Sequence, residues 1–295
     1  MSSQIPTGLE AFFQMQLKDD LGNVVPKHAT TQIRRATITE DVTNNQNIVD
    51  VGPWTALCDI DFTALAAQSF SADGPYTIGP YVWTKGNSAN EATHASLSTG
   101  SGIQFQPASG TDYNGATRTL PYLWLPLPSL FGTRPYDWST RVRIFSSFGT
   151  DNPTTNYDNE VLGIDSNSPA YGLLYKRGFG TGGQGTSYFW QVANANASGF
   201  QNDGFTLGAA NRTVCVEFES LYADRIRGFT GAGVAAGAAM PGQGSMVPRL
   251  QARYLQNAET AGVLPAQLGI FIGAQRAGSG TAFSTFFQRL RVEYG

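Results

Sequence analysis

Apolar residues in this chain recur at every second position, and almost nowhere at the three-to-four spacing of a helix. Cys58, Ile60 and Phe62 alternate with Asp59 and Asp61, and Leu268, Ile270, Ile272 and Ala274 alternate with Gly269, Phe271 and Gly273. Ile103–Phe105, Val142–Ile144, Tyr188-Trp190-Val192, Val214-Val216-Phe218 and Leu250-Ala252-Tyr254 follow the same rule. In the terminal run, Phe286, Leu290, Val292 and Tyr294 read as one face and Phe287, Arg289, Arg291 and Glu293 as the other. Helical spacing is confined to short pieces, Thr63–Gln68 and Gln256–Ala261. The 34 glycines and 15 prolines supply turns between strands. Strands this frequent, without intervening helices, predict an all-β antiparallel sandwich of the jelly-roll kind and exclude a βαβ layout.

A chain of 295 residues has ample length to bury a core. Its charge is unusual: 14% of residues, against about 25% in an average soluble domain. With 19 basic and 22 acidic side chains it lacks the cationic footprint of a nucleic-acid binder. The first residues show no basic-then-apolar leader, and the longest apolar stretch, Thr119–Gly132, is short and broken by Pro121, Pro126 and Pro128, so no membrane insertion is expected. Cys58 and Cys215 read as reduced, buried thiols, with a single bridge between them as the alternative. Residues 1–50 are polar, contain Arg34-Arg35 and Asn44-Asn45-Gln46-Asn47, and hold none of the five tryptophans. They read as an arm for attachment or oligomerisation, with a hairpin around Phe13, Met15 and Leu17, ahead of a sandwich over 51–295. Gly228–Ser245, rich in glycine and alanine, reads as a long mobile loop.

Few residues offer chemistry. Glu217 and Glu219 leave the same face of a strand about 7 Å apart, a separation glycoside hydrolysis can use, although a solvated strand face is the plainer reading. Asp59 and Asp61 form a similar pair. Asp151, Asp158 and Glu160 lie in an oxygen-rich segment with amides between them, a weak calcium candidate without EF-hand spacing. No catalytic residue or other cofactor is indicated: His28 and His94 stand apart from any triad, and no nucleophile elbow is present. Aromatic residues crowd the central third, and Tyr122, Trp124, Tyr136, Trp138 and Tyr157 are candidates for stacking on sugar rings or for an interface. The stretch Tyr122–Pro128 is apolar, yet its prolines argue against a central strand.

The succession DWSTRVRIFSS, VLGIDSNSPAYGLLYKRG, SYFWQVAN, NRTVCVEFESLY, RLQARYLQN, LGIFIGAQRAG and FSTFFQRLRVEYG resembles the concanavalin A-like lectin and glucanase group. Glucanases of that group carry E-x-D-x-x-E, where this chain has Glu217, Glu219 and Tyr222; the last carboxylate is missing. Legume lectins continue V-E-F-D into metal-binding residues, where this chain has Val216-Glu217-Phe218-Glu219 followed by Ala223 and Asp224. The polar arm, low charge and glycine-rich loops also resemble tailed-bacteriophage virion proteins: decoration, head-fibre and tail receptor-binding proteins. That resemblance implies a non-enzymatic structural protein of the virion, made in the host cytoplasm without a signal peptide. Its expected partners are other virion proteins and copies of itself in a homotrimer, together with host surface polysaccharide. The alternative it leaves open is a carbohydrate-active enzyme or soluble lectin.

Overall fold

Alternating strands must each bury one face, and here they do so by stacking two antiparallel sheets. The computed structural model describes residues 36–41, 46–51, 54–114, 117–151, 158–167, 172–179, 187–194, 197–206, 212–221, 225–253, 264–276 and 284–295. The chain divides into two compact units, Met1–Pro53 and Trp54–Gly295. In the first, β1 (Ala36–Asp41) and β2 (Gln46–Val51) form an antiparallel hairpin. The hairpin expected around Phe13–Leu17 and the helical piece Gln256–Ala261 lie outside the described residues.

The second unit begins with β3 (Thr55–Asp61), β4 (Gln68–Phe70), β5 (Gly74–Ile78), β6 (Tyr81–Gly86), β7 (Glu91–Ser98) and β8 (Gly102–Pro107). A small hairpin, β9 (Tyr113–Asn114) and β10 (Thr117–Arg118), precedes β11 (Tyr122–Pro126) and the short helix α1 (Leu127–Phe131). Then come β12 (Val142–Asp151), β13 (Asp158–Asp165), β14 (Gly172–Phe179), β15 (Ser187–Asn194) and β16 (Ala197–Thr206). The last five are β17 (Arg212–Phe218), β18 (Arg225–Ala232), β19 (Val247–Arg253), β20 (Gly269–Arg276) and β21 (Ser284–Tyr294).

One sheet has the order β19-β18-β17-β12-β21-β8-β7-β4, with β3 pairing the C-terminal half of β21 beside β8. The facing sheet has the order β16-β15-β14-β13-β20-β11-β6-β5. The chain passes back and forth between them, giving an antiparallel jelly-roll sandwich. Leu123, Leu125, Leu162, Ile164, Ile270 and Ile272 of the second sheet meet Ile60, Ile144, Val214, Val216, Leu290 and Val292 of the first, all buried in one core. The N-terminal strand of this unit pairs with the chain's last strand, Cys58 opposite Val292.

Three local readings change. Tyr122–Pro126 is an interior strand between β20 and β6, because Pro121 precedes it, Pro126 ends it and Pro128 sits in the first turn of α1, where a missing N–H costs no ladder bond. In β21 the facing order slips by one: Ser147 pairs Arg289 and Phe148 pairs Phe287, so Gln288 is a bulge. Phe287, fully buried against Phe105 and Phe148, therefore takes the core position expected for Phe286. The helical signal at Thr63–Gln68 yields only a 3-10 turn, Phe62–Ala64, capped by Asp61 accepting from the Thr63 N–H at 3.0 Å.

Candidate functional site

On the outward face of the first sheet, register assembles side chains from five strands into rows. Arg227, Glu217, Arg143 and Glu293 stand side by side on β18, β17, β12 and β21. The next row is Phe229, Cys215, Phe145, Arg291 and Asp59, and beyond it Thr213, Ser147, Arg289 and Asp61. Like charges are kept from facing one another and each cation meets a carboxylate across a strand, the favourable cross-strand arrangement.

Glu217, expected on a solvated face, is 1% exposed. Its Oε1 accepts from Arg141 Nη2 at 3.0 Å and from Arg227, and its Oε2 accepts from the Gln243 amide. Glu219, half-buried, meets the same Arg227 at 3.4 Å, so the sequence-predicted pair shares one cation. Arg143 pairs with Glu293 and donates to Gln243 Oε1 at 3.1 Å, while Arg291 reaches Glu293 at 3.1 Å. Arg289 holds Asp59 with two bonds of 2.7 and 2.9 Å. The guanidinium groups of Arg141 and Arg143 lie 4.7 and 4.2 Å from the Trp54 ring centre, and that of Arg291 lies 4.2 Å from Phe145.

What buries this face is the greater part of the expected mobile loop. Gly228–Ala232 belongs to β18, and residues 233–246 fold back over the rows as a strap. The Ala238 carbonyl accepts from Arg289, and the Met240 and Pro241 carbonyls accept from Arg291 at 3.2 and 2.9 Å. Met240, Gln243 and Met246 are its buried side chains. Beneath its first limb, Val234–Gly237, a void lined by Asp61, Thr63, Ser147, Gln288 and Arg289 admits about one water.

The two cysteines are free, buried and on opposite faces of this sheet, Cys58 toward the core and Cys215 under the strap side. Burial pushes the Cys58 thiol up to about 12, and burial together with the nearby Glu217 carboxylate pushes Cys215 well above the ordinary thiol value.

The candidate aromatic residues fall into two places. Tyr122 and Trp124 lie on the outward face of the second sheet, where Gly86, Gly269 and Gly273 make a bed for them: a Cβ at Gly86 would stand 2.3 Å from the Tyr122 ring and one at Gly269 2.4 Å from the Trp124 ring. Tyr122 stacks on Phe271 at 4.9 Å, and Arg118 lies over it at 4.2 Å while bonding Tyr122 Oη at 2.9 Å and Asp165 at 2.8 Å. At 6% exposure Tyr122 is a buried member of this group, its phenol pushed up by that burial; Trp124, half-buried with its Nε1–H donating to the Asp165 carbonyl at 3.0 Å, is the one that reaches the surface. Tyr136 and Trp138 pack instead against the edge of the central core, Tyr136 stacked on Phe131 at 4.3 Å. Tyr157 lies outside the described residues. Of the calcium candidates, Asp151 and Asp158 are in strands but their side chains are outside the described set; Glu160 is fully buried and accepts from Thr285 Oγ1 at 2.7 Å. Among the described residues no group of three metal-binding side chains converges.

No protein-family model matches the chain, and no curated protein does. Solved structures with similar shape include a GH43 protein, BlXynB, from Bacillus licheniformis, at 11% identity and a TM-score of 0.49 over 84% of this chain. The chain spans only 41% of that protein. The CBM2 module of the evolved Dit of Lactobacillus casei BL23 phage J-1 matches at 10% identity and 0.42, covering 81% of this chain and 95% of the module. The family 7 alginate lyase A1-II' matches at 13% and 0.40, covering 75% and 83%. With every one of these scores below 0.5, the fold rests on the strand order itself.

Proposed function

We propose that the chain is a non-enzymatic virion structural protein of a bacteriophage, a capsid decoration, head-fibre or tail component that displays a jelly-roll sandwich. The observation that carries the non-enzymatic part is the fate of the acidic pair: both oxygens of Glu217 are occupied by Arg141, Arg227 and Gln243, and Glu219 shares Arg227. A general acid or nucleophile must present an oxygen to the glycosidic bond, and Glu217 presents none. The display part is supported by the division into a small N-terminal unit and a large sandwich, with the first attaching or trimerising and the second facing outward. Many copies held on one particle convert weak contacts into avidity. The surface meeting host polysaccharide is the glycine-bedded face around Trp124, whose ring combines an apolar plane with a polar edge.

Incubation of the purified full chain with host-surface polysaccharides tests this, reading polymer length and retention on a polysaccharide column. The expected result is unchanged polymer length, with any retention lowered in Trp124→Ala. Shortening of the polymer that disappears in Glu217→Gln, with the variant still fully folded at the assay temperature by circular dichroism, would establish the alternative of a carbohydrate-active enzyme.

A further inference from the structure

The outward face of a sheet built from β18, β17, β12, β21 and β3 carries charges whose ion pairs are made without the strap lying on them, the strap adding Gln243 to Glu217 and Arg143. Arg141 and Arg227 have Glu217, Arg143 and Arg291 have Glu293, and Arg289 has Asp59. Removing the strap therefore leaves no guanidinium or carboxylate unpaired, which is the condition for a charged face to meet water at low cost. Nor does its removal break a ladder bond: residues 233–246 join β18 to β19, whose pairing ends at Thr230 and Val247. The strap's own hold is sparse. Ala235, Ala236, Gly237, Ala238 and Ala239 are exposed, Arg289 and Arg291 reach only its backbone carbonyls, and Met240, Gln243 and Met246 are its buried anchors. Its first limb stands over a void. Gly231 and Gly233 stand at its start, Gly242 and Gly244 lie in its second limb, and Gly237, at φ +76°, turns its first limb.

We infer that residues 233–246 form a hinged cover that lifts as a unit from an intact sandwich, uncovering a preformed face of paired arginines and carboxylates set around Trp54 and Phe145. Such a segment opens at the low end of a protein's range of local stabilities, while the strands beneath open only with the whole fold. The device is independent of the virion reading, since it follows from the pairing of the face and the sparse anchoring of its cover.

The two cysteines report on it directly. Cys215 lies in the row with Phe145 and Arg291, on the covered face, whereas Cys58 lies between the sheets. Labelling of the native full chain with a disulfide reagent, resolved by peptide mass spectrometry, is expected to modify Cys215 at least roughly tenfold faster than Cys58. Gln243→Ala and Met240→Ala, each checked for an unchanged circular dichroism spectrum, are expected to accelerate Cys215 labelling and leave Cys58 labelling as it was. Equal rates for the two thiols in the wild-type chain, or no labelling of either short of unfolding, would overturn the inference, as would variants that accelerate both thiols together.

Discussion

Replacing Glu217 by alanine removes the carboxylate on which Arg141, Arg227 and Gln243 converge. Breaking one partner out of a buried ion pair costs about 3–5 kcal/mol, because the charges left behind lack both water and a counter-charge. Here the side chains of Arg141 and Arg227 are 17% and 12% exposed, and Arg227 keeps Glu219 at 3.4 Å. Those two facts place the expectation at the lower end, about 3 kcal/mol. For a domain of this size that corresponds to a fall in Tm of about 6–12 °C. Glu217→Gln keeps the shape and loses the charge, so its cost is expected to be about 1–2 kcal/mol, that of weakened charge-assisted hydrogen bonds. Calorimetry with urea unfolding at matched m-values gives both numbers. A double-mutant cycle with Arg227→Ala should show a coupling of about 1 kcal/mol or more, as expected for contacting residues in one network. A Glu217→Ala protein melting within about 2 °C of wild type, against the fall expected above, would refute the assignment of Glu217 as the centre of a structural network.

Other expectations follow from single sites. Phe287→Ala should cost about 3–5 kcal/mol while Phe286→Ala changes stability little, and the reverse order in denaturant unfolding would place the β21 bulge elsewhere. Gly102→Ala should destabilise strongly, since φ is +92° and a Cβ would stand 2.2 Å from the Phe287 carbonyl oxygen; a neutral result in a thermal melt would contradict that packing. Asp137 accepts from the Ser139 hydroxyl and N–H and from Thr140, which hold its carboxyl below the ordinary 3.8. Its contribution is therefore present above that value and lost as pH falls through the lower native one, so Asp137→Ala should lower Tm near neutral pH and have no effect in strong acid.

The strands were legible in the sequence because period-two alternation is a local signal: β17, β20 and β3 fall where Val214–Phe218, Leu268–Ala274 and Ala56–Phe62 placed them. The same-face geometry of Glu217 and Glu219 was legible for the same reason. Their burial was not, since it depends on a strap that arrives from between β18 and β19 and on arginines from β12, β18 and the residue before β12. A clue existed in the composition: arginines at 141, 143, 227, 289 and 291 alternate along strands in a chain otherwise poor in charge, and such regular placement points to cross-strand pairing. The Phe286–Phe287 reversal escaped because one inserted residue inverts the facing of everything on its far side. Tyr122–Pro126 escaped because proline excludes a strand's interior and not its ends.

We propose above that this chain is displayed on a bacteriophage particle. Quantitative mass spectrometry of gradient-purified particles from cells making the protein, combined with antibody labelling of the intact particles, measures that most directly. Display predicts many copies per particle, at a fixed ratio to the capsid protein and accessible to antibody against the Trp54–Gly295 unit. Recovery of the chain solely in the soluble fraction, absent from every particle band, would contradict it.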